Sequence, residues 1–85
     1  MANPKNYPKK TYANDTAFSV KLRSIMADRN INDKELAGKL YVVADVIGRW
    51  RRGTCEPSLE SLAALCRELD ISADYMLGLT DNTEV

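Results

Sequence analysis

The chain has eighty-five residues, with twelve Lys/Arg against twelve Asp/Glu and no histidine, which makes one small domain with room for a short tail. Cys55 and Cys66 show no metal-ligand spacing and have no histidine to join them, so reduced thiols and no metal or cofactor are expected. Without a Gly-rich phosphate loop or a base beside Cys55 an enzyme is not expected, and without a membrane-length apolar run or signal-peptide pattern the expected location is cytoplasmic.

The zero net charge hides an asymmetry. Residues 1–20 hold three lysines against Asp15 and sum to +2. Residues 21–52 hold eight cations against four acids and sum to +4. Residues 53–85 hold Arg67 against seven acids and sum to −6. One basic end and one acidic end make a dipolar molecule.

Residues 1–15 contain two prolines, few apolar side chains and a weak positive balance, and they read as a flexible basic arm. Such an arm is either a solvated tail or a segment that touches DNA backbone or minor groove. The globular domain is expected over residues 16–79, with residues 80–85 frayed.

A first helix is expected over residues 16–29, capped by Asp15 or Thr16 and burying Phe18, Leu22, Ile25 and Met26. Asn30 suits the left-handed conformation that ends a helix. A second helix starts at Asn32, whose spacing to Glu35 is that of a capping box, and ends near Leu40. A third covers Ala44–Arg52. At about 100° per residue, Val43 and Trp50 fall beside Ile47 on the core side, while Asp45, Gly48, Arg49 and Arg52 fall outside. Arg51 lies at the edge of the core. Gly53 is the cap glycine.

Ser58 should cap a fourth helix carrying Leu59, Leu62, Ala63, Leu65, Cys66 and Leu69. These cover about half its circumference, which predicts the central helix of the core with Cys66 as a buried small hydrophobe. Ser72 should cap a short fifth helix over residues 73–77, stopped by Gly78.

The stretch from Asn32 to Gly53 is thus a pair of short helices joined by a tight turn, with cations on the second. That arrangement suits insertion of the second helix into a DNA major groove. The segments INDKELAGKL, VIGRWRRG and EPSLESLAALCRELDISADYMLG resemble the Cro/Xre-type, lambda-repressor-like helix-turn-helix family, without gaps over residues 18–79. The resemblance implies an all-α, five-helix DNA-binding domain and a transcriptional regulator of the phage-repressor type. It further implies a double-stranded operator as partner, a third helix that reads bases, and commonly a homodimer. An antitoxin or protein-interaction module on the same fold is the alternative.

The DNA-contacting residues expected from this resemblance are Asp33 and Lys34 at the start of helix 2, and Val43, Ala44, Asp45, Gly48, Arg49 and Arg52 in and before helix 3. Thr54, Cys55 and Ser58 complete the set in the following loop. Arg49 suits bidentate contact with guanine, or else a phosphate contact. Asp45 suits either the positive end of helix 3 or cytosine N4. The dimer interface is expected on helices 4 and 5, with Met76 and Leu79.

Several residues depart from the family's pattern. Asp33 stands where the family favours Gln, Tyr41 where it favours Gly, and Val43 where it favours a Ser cap. Met26 and Arg51 stand where it often has an Arg–Glu ion pair. The Arg51 stem is therefore expected to lie along Met26, with its guanidinium free for a phosphate, Glu35 or Glu56.

Overall fold

The computed structural model describes residues 12–85. Residues 1–11 of the expected arm, with its three lysines, lie outside the described residues. Five helices follow in order: α1 (Ala17–Arg29), α2 (Asp33–Leu40), α3 (Ala44–Arg52), α4 (Leu59–Leu69) and α5 (Ala73–Met76). There is no strand among the described residues, and the fold is all-α as expected.

Local chemistry sets each boundary. Thr16, Asn32, Ser58 and Ser72 each accept a hydrogen bond from the backbone N–H three residues on, satisfying a donor that the first turn would otherwise leave bare. Asn32 and Glu35 close the expected capping box, and Thr16 and Ser19 close another. Asn30, Tyr41, Gly53 and Asp70 end α1 to α4 in the left-handed region. The fifth helix is one residue shorter than expected, with Leu77 as its cap.

Of these caps Tyr41 is the costly one. Asn and Asp reach this conformation easily, but a tyrosine at φ 58° crowds its Cβ against backbone. The ring is 94 % exposed, so it recovers nothing by packing. Tyr41→Gly should therefore stabilise the fold by about 0.5–1 kcal/mol, the strain relieved less the added freedom of the unfolded chain. Urea denaturation measures this directly, and a loss of stability would show that the ring holds a contact after all.

The core is built around α1, not α4. Helix α1 buries Phe18, Ser19, Lys21, Leu22, Ser24, Ile25 and Met26, because α3 packs against one side of it and α5 against another. Helix α4 buries only Leu65 and Leu69. Leu59 is 86 % exposed, Ala63 is exposed, and Leu62 and Cys66 are half-buried. A half-circumference of apolar residues was thus a poor guide to depth. Partial burial raises the Cys66 thiol pKa.

The two ends of the domain are also more tightly held than the sequence implies. Tyr12 accepts a backbone hydrogen bond from Asp15, and its ring lies 5.1 Å from the Arg23 guanidinium. Beyond α5 the chain folds back: Ser72 N–H donates to the Thr83 carbonyl, and the buried Lys21 ammonium reaches Asp81 at 3.2 Å. Lys21 also stands 4.4 Å over the Tyr75 ring. Within the stretch 80–85 expected to fray, residues 81–83 make these contacts, while Val85 is 90 % exposed.

Candidate nucleic-acid interface

The face of α3 turned away from Ile47 and Trp50 carries Asp45, Arg49 and Arg52, and Ala44 is exposed in the first turn. Ile47 and Trp50 are buried, and Trp50 meets the Phe18 ring edge-on at 6.3 Å. This apolar anchor fixes the rotation of α3 and so decides which side chains point outward. Ala44, Asp45 and Arg49 are exposed and Arg52 is half-buried.

Two residues depart from the helical step. The step places Val43 on the core side, yet it is 64 % exposed. It is the N-cap, with extended backbone and no side-chain cap bond, so the angular step of a helix does not apply to it. It stays in the candidate set as a solvent-facing residue at the head of α3. Gly48 was put on the outer face, yet it is buried. An added Cβ there would meet Arg52 Nη1 at 3.3 Å and Asp33 Oδ2 at 3.5 Å. The two charged groups converge over Gly48 and cover it, so it shapes the surface without presenting one.

Asp33 is not free for DNA in the way the family position implies. It forms a two-pronged ion pair with Arg51, Nε to Oδ1 at 2.7 Å and Nη2 to Oδ2 at 2.8 Å. Donating to the Asp33 carboxylate raises the Arg51 pKa. The partner expected of Arg51 was a phosphate, Glu35 or Glu56; the structure gives Asp33, because the guanidinium fork matches a carboxylate edge that α2 brings alongside. Met26 is buried and shares one cleft of about 660 Å³ with Arg51, Asp33 and Arg23. Positions 26 and 51 thus line the same cleft.

Asp45 and Arg49 pair at 3.0 Å, one turn apart on the exposed face. Asp45 also sits in the first turn of α3, where a carboxylate offsets the uncapped backbone N–H groups. Lys34 is exposed in the first turn of α2. Thr54 donates to the Arg49 carbonyl through both its backbone N–H and its hydroxyl. Cys55 is exposed, and Ser58 is committed to capping α4.

The residues that sequence reading missed hold the far end of α3. Arg23 of α1 donates to the Arg51 carbonyl at 2.7 Å and to both oxygens of Asp15, at 2.7 and 3.0 Å. Asp15 and Arg23 expose only 7 % and 9 % of their side chains. The hydrogen bond from Arg23, aided by the Ser19 hydroxyl and the Arg23 charge, outweighs burial and holds the Asp15 pKa down at about 2. A partial signal for this site was present: Ser19 and Arg23 stand four residues apart on one stripe of α1, and Asp15 lies just before the Thr16 cap. Backbone meets backbone beside it. An added Cβ at Gly53 would come 2.1 Å from the Asn14 carbonyl oxygen, so the chain before α1 presses on the cap of α3.

Comparison with known proteins agrees with this geometry. The profile of the Cro/C1-type HTH DNA-binding domain matches residues 21–79. The HTH-type transcriptional activator BcrR of Enterococcus faecalis is 30 % identical over 61 residues, covering 72 % of this chain and 30 % of BcrR. The uncharacterized HTH-type transcriptional regulator YobD of Bacillus subtilis (strain 168) is 31 % identical over 67 residues, covering 79 % of this chain and 60 % of YobD. The chain thus spans about a third of one relative and three fifths of the other. Among solved structures, the P22 c2 repressor in complex with a synthetic operator superposes with a TM-score of 0.71 at 27 % identity, covering 78 % of this chain and 100 % of that one.

Proposed function

The chain belongs to the Cro/C1-type helix-turn-helix DNA-binding family, and from that we propose that it is a sequence-specific transcriptional regulator that acts in the cytoplasm and reads an operator with α3. The observation that carries this is the outward face of α3 itself. Its rotation is fixed by Ile47 and Trp50 in the core and its far end by Arg23, so Ala44, Asp45, Arg49 and Arg52 are presented on a rigid element. Rigid presentation is what base discrimination needs, since a bidentate contact tolerates little misplacement. The relative solved on DNA superposes along its whole length.

In this reading Arg49 contacts guanine in the major groove and Asp45 accepts from an adjacent cytosine. Ala44 offers a methyl contact to thymine. Arg52, Lys34 and Thr54 contact the phosphates that flank them. A homodimer through α4 and α5 would place two such helices about 34 Å apart. Met76 is fully buried and cannot take part, but Leu79 is 73 % exposed, and Leu77 two residues before it and Leu59 at the start of α4 are exposed as well.

Selection of binding sites from a random duplex pool tests the proposal, and failure to enrich any motif would refute it. On the selected site, Arg49→Ala should weaken binding by about 1–3 kcal/mol and relax one base position. Arg52→Ala should weaken all sequences alike and make the salt dependence shallower by about one. An unchanged base preference in Arg49→Ala would remove Arg49 from the reading set.

A further inference from the structure

Two of the three arginines of α3 do not stand free. Arg51 is held in both prongs by Asp33, and Arg49 is held by Asp45 at 3.0 Å. Arg52 and Asp33 come within 3.3 and 3.5 Å of one point above Gly48. Two arginines are therefore paired with two carboxylates of the same chain, with Arg52 close by, beside the surface where the proposed function needs DNA phosphate. A carboxylate and a phosphate offer an arginine the same chemistry, two anionic oxygens on a planar edge.

We infer that Asp33 and Asp45 are specificity-determining residues that stand in for phosphate on α3 and so suppress binding to duplex of the wrong sequence. This rests on the reading of α3 as the DNA-facing helix. The internal carboxylates compete at the high effective concentration of an intramolecular partner. Any duplex must displace them, and each displacement leaves a bare carboxylate beside the phosphates, where it is repelled. Non-specific binding, which is almost wholly electrostatic, gains little from that exchange. On the cognate duplex the exchange is favourable: Arg49 gains a guanine edge, and Asp45 gains the cytosine amino group that replaces its lost partner. The zero net charge of the chain lowers the background attraction further.

The test measures binding of a short random-sequence duplex by fluorescence anisotropy over a range of salt concentrations. Asp45→Asn and Asp33→Asn are compared with Glu68→Gln, which makes the same change in net charge on an exposed position of α4. Each aspartate variant should bind the random duplex about fivefold tighter than wild type, with a salt slope steeper by about one. Glu68→Gln should stay within about twofold. Asp45→Asn carries the test alone should Asp33→Asn loosen α2, since the Asp45 pair lies on the exposed face. Aspartate variants that bind no tighter than Glu68→Gln, or no detectable binding by any of the proteins, would overturn the inference. A site selection that enriches no motif would instead refute sequence-specific reading, and the two failures are separately visible.

Discussion

Asp15→Ala will cost the fold about 3–5 kcal/mol, the penalty for leaving an arginine buried without its counter-ion. Both side chains are over nine-tenths buried, and Arg23 Nε already lacks a hydrogen-bond partner. Among the described residues, removing Asp15 would leave the guanidinium its hydrogen bond to the Arg51 carbonyl and its contact with the Tyr12 ring. Truncating both partners is milder: Asp15→Ala with Arg23→Met should recover much of the loss, with a coupling of about 0.5–3 kcal/mol. Urea denaturation of the four proteins decides it, and a single-mutant cost below about 1 kcal/mol would mean that the pair is solvated.

The same pair sets an acid dependence. Folding lowers the Asp15 pKa from 3.8 to about 2, so the native state binds its proton less readily than the unfolded chain. The stabilisation is complete above the unfolded value and disappears as the pH falls through about 2. It amounts to about 2 kcal/mol, and Asp15→Ala should lack this part of the acid transition.

Gly53→Ala should be nearly as damaging. The residue lies at φ 77°, where an alanine costs about 1–2 kcal/mol. The new methyl would also stand 2.1 Å from the Asn14 carbonyl oxygen, and backbone must shift to admit it, at a further cost of about 1–3 kcal/mol. The second cost depends on residue 14 and the first does not. In a chain starting at Asp15, where the nearest remaining atom is the Asp15 Cα at 3.3 Å, the substitution should therefore cost little beyond the conformational part. Equal costs in the two backgrounds, read from thermal or urea midpoints, would show that the segment before α1 does not press on the cap. The truncation itself should destabilise the domain, because Tyr12 and Asn14 pack against Arg23 and Gly53. From sequence those residues belonged to a flexible arm.

What could be read from the sequence was mostly local. Asn30, Gly53, Ser58 and Ser72 act within a few residues of themselves, through cap hydrogen bonds and left-handed geometry, and they take the expected roles. Trp50 and Ile47 are buried as the helical step placed them. The failures are of three physical kinds. Val43 precedes the helix, so helical angles misplace it. Leu59 and Ala63 lie on an apolar arc wider than the surface that α2 and α5 offer α4, and periodicity measures the arc alone. Asp33–Arg51 depends on where a long guanidinium stem reaches from α3 to α2, which no spacing within one helix specifies. The last kind matters most for the interface, because that pair decides which charges on α3 are available.

The ion pair from Lys21 to Asp81 joins residues sixty positions apart, so it closes a loop containing most of the domain. Such a contact repays its closure entropy only after the helices between have assembled. Its energy is then absent from the barrier to folding and is lost on the way out, so it acts on the rate of unfolding. The tail beyond α5 sets how long a folded molecule lasts, and hardly how quickly one forms.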